Sequence, residues 1–225
     1  MNKILIIAGL VSGIMLIGDV ALATTYYTEQ FDSGDNRGYT ADGDWAVGSY
    51  KAQCNYDDPM SGISATAIGI RPDLRGHSAI CSAGAYIVGS GSTGTYGTET
   101  VHSLSGADDR GDTGTGDWDV GYTKAECAQS EAVSGVAQSG DSSLNMTTIL
   151  CTWIESEIAS NDSSCTTLVF SSYSDNRLNT ASGDWAVGYS KNECGSNQIL
   201  KGVSSNPNTG EIHAILCCDA EPFPH

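Results

Sequence analysis

Positive charge is scarce in this chain: ten Lys and Arg stand against 27 Asp and Glu, a net charge of −17 in 225 residues. Such a surface repels phosphate backbones and anionic headgroups, so nucleic acid is excluded as a partner. Helix-forming runs of Ala, Leu, Glu and Lys are missing, and no stretch sustains a 3.6-residue apolar period. Catalytic signatures are missing too, since neither G-x-S-x-G nor H-E-x-x-H occurs. His77 and His213 stand at matching places in two strand patterns where a third has Thr147, while His102 and His225 are isolated. No enzyme is expected. A zinc site would want C-x2-C spacing, which is absent, and no cofactor or metal is expected. After residue 23 no run is apolar enough to span a bilayer core of about 30 Å.

The one long apolar run opens the chain. In MNKILIIAGLVSGIMLIGDVALA, Lys3 gives a positive start, Ile4 to Ile17 an apolar stretch, and Ala21-Leu22-Ala23 a small-x-small cleavage site. A membrane anchor is the alternative, but the run is short and interrupted by Gly13 and Gly18. The reading is a bacterial signal peptide over residues 1–23 and a secreted, soluble domain over 24–225.

What fills that domain is short Val, Ile, Thr and Tyr segments set between Gly, Ser, Asn and Asp, the pattern of strands and turns. Residues 85–89, 166–170 and 212–217 are the clearest strands, and the fold class is all-β. One phrase is written three times: GDWAVGSYKAQC from Gly43, GDWDVGYTKAEC from Gly116 and GDWAVGYSKNEC from Gly183. Aligned on Trp45, Trp118 and Trp185, further positions match without gaps. The template is D-N/D-R-x5-G-D-W-x-V-G-x-x-K-x-x-C-x7-G-I/V, followed by an apolar strand that ends in a second Cys. The repeats cover approximately 24–90, 91–160 and 161–225. Each holds too few strands for a comfortable core of its own. The expectation is therefore three homologous lobes sharing one centre in a pseudo-threefold arrangement, trefoil- or prism-like. Three stapled beads in a row are the alternative. Chain ends pairing side by side would close the ring.

All eight Cys lie in the exported part. Oxidation there predicts Cys54–Cys81, Cys127–Cys151 and Cys194–Cys217 within the repeats, with Cys165 and Cys218 left to pair. Cys217 and Cys218 are adjacent, and spacing alone leaves their partners exchangeable.

Six of the nine Lys and Arg beyond residue 23 belong to the template: Arg37, Arg110, Arg177, Lys51, Lys124 and Lys191. They have two readings. In one, Arg pairs with the Asp two residues before it (Asp35, Asp108, Asp175) and braces the loop, with Lys lying over an aromatic face. In the other, each repeat carries a shallow pocket. There Trp45, Trp118 or Trp185 offers a stacking platform, and Asp44, Asp117 or Asp184 joins the Arg and Lys in hydrogen bonding. Tyr122 and Tyr189 add to two of these pockets, while the first repeat shifts its aromatic to Tyr50. Tight calcium binding is not expected, because a cation stands beside each carboxylate pair.

The GDW-x-V-GY-x-K-x-EC…GVS…HAILC phrasing resembles Cys-stapled tandem β repeats of secreted bacterial proteins. Threefold repetition is also similar in form to β-trefoil and β-prism lectins, although these units are longer and lack the Q-x-W signature. The resemblance implies a carbohydrate-binding module whose partners are glycans on a surface or matrix, three weak sites acting by avidity. A structural or adhesive repeat protein without a small ligand is the alternative, and a subunit of a secreted toxin is the next.

Overall fold

The computed structural model describes residues 25–31, 44–55, 58–66, 76–83, 99–104, 116–141, 145–154, 156–158, 165–171, 175–177 and 183–222. The expected signal peptide, the strand expected at 85–89, Asp35, Asp108, Arg37 and Arg110 lie outside them. The described residues are all-β. The first repeat supplies β1 (Thr25–Gln30), β2 (Ser49–Gln53), β3 (Met60–Ala65) and β4 (Gly76–Ala83). The second supplies β5 (Thr100–Ser103), β6 (Thr123–Glu126), β7 (Glu131–Ser139) and β8 (Met146–Trp153), followed by a short β9 (Ser156–Ile158). The third supplies β10 (Cys165–Val169), β11 (Asp175–Asn176), β12 (Ser190–Glu193), β13 (Gln198–Ser205) and β14 (Ile212–Pro222).

These strands make three sheets, and no sheet is built by one repeat. The orders are β1-β4-β3-β12-β11, β2-β7-β8-β5 and β10-β14-β13-β6, with β9 added on β14. In each sheet the outer strand and the hairpin come from one repeat, and the strand after the GDW phrase comes from another. The first repeat lends β2 to the second, the second lends β6 to the third, and the third lends β12 back to the first. This cycle, rather than the chain ends, closes the assembly. β1 pairs with β4, and β14 pairs with β13, β10 and β9, so among the described residues the first and last strands do not pair side by side.

The central hairpin strands show why the sequence lacks clean alternation. Every residue of β3 is buried, as is nearly all of β7 and β13. One face looks into the common core, and the other is covered by a loop lent from a different repeat. Each of these strands also carries a bulge at the same place, beside Gly62, Gly135 and Gly202. A side chain on Gly135 would sit 2.8 Å from the Trp45 ring, and one on Gly202 3.2 Å from the Trp118 ring. At these two seams the template Gly is the seat of the neighbouring repeat's Trp.

One core cluster holds equivalent residues of all three repeats, among them Ile63, Val136 and Val203, and Leu104 with Phe170, against which Phe31 packs. The expected shared centre is there. All four disulfides have the expected partners: Cys54–Cys81, Cys127–Cys151, Cys194–Cys217 and Cys165–Cys218. Adjacent strand residues point to opposite faces. Cys217 therefore lies in the common core with Cys194, while Cys218 faces a smaller outer cluster with Cys165. The three repeat bridges join different sheets. Cys54 leaves β2 in the second repeat's sheet, bonded through its amide to Ser134, and returns through sulfur to β4 in the first repeat's sheet.

Candidate functional site

The GDW phrase forms the loop that enters each lent strand. The Asp side chain of Asp44, Asp117 or Asp184 accepts the amide of Ala46, Asp119 or Ala186 at 3.1–3.2 Å, bending the chain around the Trp. A turn follows, in which Ser49, Tyr122 and Tyr189 donate to the carbonyls of Ala46, Asp119 and Ala186. Its third residue is Gly48, Gly121 or Gly188 with φ of 76°, 87° or 84°, which a type II turn requires. Its second residue is Val47, Val120 or Val187, and each is at least 75% exposed. These are the most exposed large apolar side chains among the described residues.

The template Lys is buried beneath the loop. Lys124 Nζ lies 2.9 Å from Asp117 and donates to the carbonyls of Asp119 at 2.8 Å and Tyr122 at 2.5 Å. Lys191 repeats this with Asp184, Ala186 and Tyr189. Lys51 holds Asp44 at 2.9 Å and the Ser49 carbonyl at 3.1 Å. A carboxylate and loop carbonyls would otherwise suit a hard cation, and the ammonium occupies that place. Partial burial pushes the Asp184 carboxyl up, but the bonds from Lys191 and Ala186, with the charges of Lys191 and Arg177, outweigh it and hold it below its ordinary value.

The Trp is half-buried with its polar edge tied down. The indole N–H of Trp45, Trp118 and Trp185 donates to Gln53, Glu126 and Glu193 at 2.9–3.0 Å, and all three acceptors are buried. Arg177 holds Asp175 in a two-point pair at 2.5 and 3.0 Å on the surface. Asp175 stands opposite Lys191 in the parallel β11–β12 pair. In the third repeat, then, the bracing geometry weighed for Arg and Asp is present.

The tyrosines act at the seams between repeats. Tyr189 stacks on His77 of the first repeat, ring centres 3.5 Å apart, and Tyr122 stacks on His213 of the third at 3.4 Å. At the remaining seam the same two places hold Ser49 and Thr147. Two irregularities of the sequence, a displaced tyrosine in the first repeat and a missing histidine in the second, are thus one change at one contact. Burial lowers the His77 imidazole below its ordinary pKa. His213 differs: its Nδ1 lies 2.8 Å from Asp119, whose carboxylate also accepts the Ser204 hydroxyl.

Two further groups escape template reasoning. His102, Glu131 and Cys151 approach one another, but the Cys151 sulfur is in a disulfide, leaving too few ligands for a metal. Lys201 fills the bulge position where the other repeats have Ser61 and Ser134. It is fully buried and donates to the carbonyls of Ala128 and Glu131, the latter at 2.6 Å. Burial pushes its amine from 10.5 down to about 8, with Glu126 and Glu131 pulling the other way. The unfolded chain therefore binds the extra proton between those values, and stability rises with pH across that window. The rise is expected to be roughly 3 kcal/mol. Urea unfolding from pH 7 to 10.5 should show it in the native chain and not in Lys201→Ser; equal profiles would refute the assignment.

Among the described residues, the template Asp, Trp and Lys meet in one loop per repeat, and the structure adds Val47, Val120 and Val187 at its apex. No family model matches this chain, and no curated protein or solved structure is significantly similar to it.

Proposed function

We propose that this is an exported, lectin-like protein that binds carbohydrate through three weak loop sites in a prism-like threefold arrangement. One observation carries the reading: each repeat raises a Val at least 75% exposed beside a half-buried Trp whose polar edge is already bonded. A loop needed only as scaffold gains nothing from an apolar side chain in water. A Val apex next to an aromatic surface suits the apolar face of a sugar ring, and three such loops act by avidity. Asp44, Asp117, Asp184 and the template Lys shape the loop from below, so direct hydrogen bonds to ligand fall to neighbouring groups.

The structural or adhesive reading rests on that same commitment of Lys, Asp and indole N–H to internal bonds. A glycan array separates the two. The native protein should bind multivalent glycans, and Val47→Ser, Val120→Ser and Val187→Ser together should abolish binding while the melting temperature stays within a few degrees. A native protein that binds no glycan would leave the structural reading standing.

A further inference from the structure

The three seams carry different chemistry at four equivalent positions. The first, where β2 joins β7, has Ala46, Ser49, Thr147 and Ala137. The third, where β12 joins β3, has Ala186, Tyr189, His77 and Ser64. The second, where β6 joins β13, has Asp119, Tyr122, His213 and Ser204. Stacking is thus present at two seams and a carboxylate at one.

That carboxylate fixes the imidazole. An ionised Asp only accepts, so the proton on His213 Nδ1 points to Asp119 and the neutral ring keeps its lone pair on Nε2. The ring cannot swing, because Tyr122 covers one face at 3.4 Å with planes 6° apart. Ser204 holds the carboxylate from the other side. The His213 side chain is 22% exposed, and its Nε2 has no hydrogen-bond partner among the described residues. His77 has only Ser64 and Ser78 hydroxyls near its Nδ1, at 3.5 and 3.2 Å, and these can donate or accept, so its tautomer is not fixed. Among the described residues, only the second seam has an imidazole held by a carboxylate, and its loop carries the exposed Val120.

We infer that the second seam is the dominant ligand site, with His213 Nε2 accepting a hydrogen bond from a sugar hydroxyl and Asp119 acting as its positioning residue. This rests on the carbohydrate reading above and makes the three loops unequal. The other two contribute apolar contact and avidity. An aligned acceptor inside a partly desolvated contact is worth about tenfold in affinity or more, enough to set one site above two others.

The test is calorimetric titration with a panel of neutral methyl glycosides covering glucose, galactose, mannose and N-acetylglucosamine, beside the multivalent array. The variants are ones the fold already accepts elsewhere: His213→Thr copies Thr147, and Asp119→Ala copies Ala46 and Ala186. The native chain should titrate with one dominant site. Each variant should weaken that site about tenfold or more with the melting temperature little changed. His77→Thr should leave it intact. Ala186→Asp, which places a carboxylate beside His77, should add a second site of similar strength. Three equal native sites, or a His213→Thr protein that binds like the native one, would overturn the inference while leaving the carbohydrate reading in place. No binding by the native protein on either assay would remove both.

Discussion

Changing Cys194 and Cys217 together to Ala should lower the unfolding free energy by at least about 3 kcal/mol, the loop-entropy value for a bridge spanning 23 residues. The loss should not be spread evenly. Cys194 directly follows β12, which belongs to the first repeat's sheet, and Cys217 lies in β14 of the third repeat's sheet. Hydrogen exchange should therefore quicken first at β12 and β3, where the lent strand is held by four residue pairs. Removing Cys165 and Cys218, which face each other across β10 and β14 within one sheet, should loosen β10 without touching that seam. Urea unfolding with exchange mass spectrometry reads both. A loss below 1 kcal/mol, or identical exchange patterns for the two double variants, would contradict a cross-sheet role.

Gly62→Ala should be more damaging than its single methyl suggests. The added Cβ would stand 2.5 Å from the Asn192 carbonyl oxygen and 3.0 Å from Glu193 Cα, both backbone atoms of β12. Neither can step aside unless β12 parts from β3. We expect about 3 kcal/mol, the upper end for overpacking. Gly48→Ala is the control: its Cβ meets nothing within 4 Å, so only the positive φ of 76° opposes it. That strain is about 1–2 kcal/mol. Thermal unfolding of the two variants should rank them in this order, and the reverse order would mean the seam yields more readily than its backbone packing implies.

Much of this was legible in the sequence for a physical reason. A disulfide or a buried Lys is needed wherever its loop is needed, so threefold use left a threefold record: three repeat bridges, one template and a common core. The sequence could not show which repeat a strand joins. Ser190 to Glu193 reads the same whether it pairs at home or abroad, because hydrogen bonding is made by backbone. The sequence puts the template Lys over an aromatic face or in a shallow pocket, since Lys is rarely buried, and only three-dimensional placement shows the carbonyls around Lys124. Val47, Val120 and Val187 passed unremarked because an apolar residue in a strand-rich sequence is ordinarily core. Asp119 was invisible for the opposite reason: it occupies a variable letter of the phrase, and its partner His213 is 94 residues away.

The exchange of strands has a consequence for ancestry. A single repeat standing alone would have one strand with no sheet to join and one hairpin with an open edge. Three copies of it would satisfy one another, each giving a strand and taking one, as the subunits of a closed ring do, and one chain holds all three once the unit is duplicated and fused. Fusion removes the requirement that the seams be identical. A mutation in a homotrimer strikes all three contacts at once, whereas here Asp119 could arise at one contact while Ala46 and Ala186 kept the others as they were. Joining the subunits freed each interface to evolve alone.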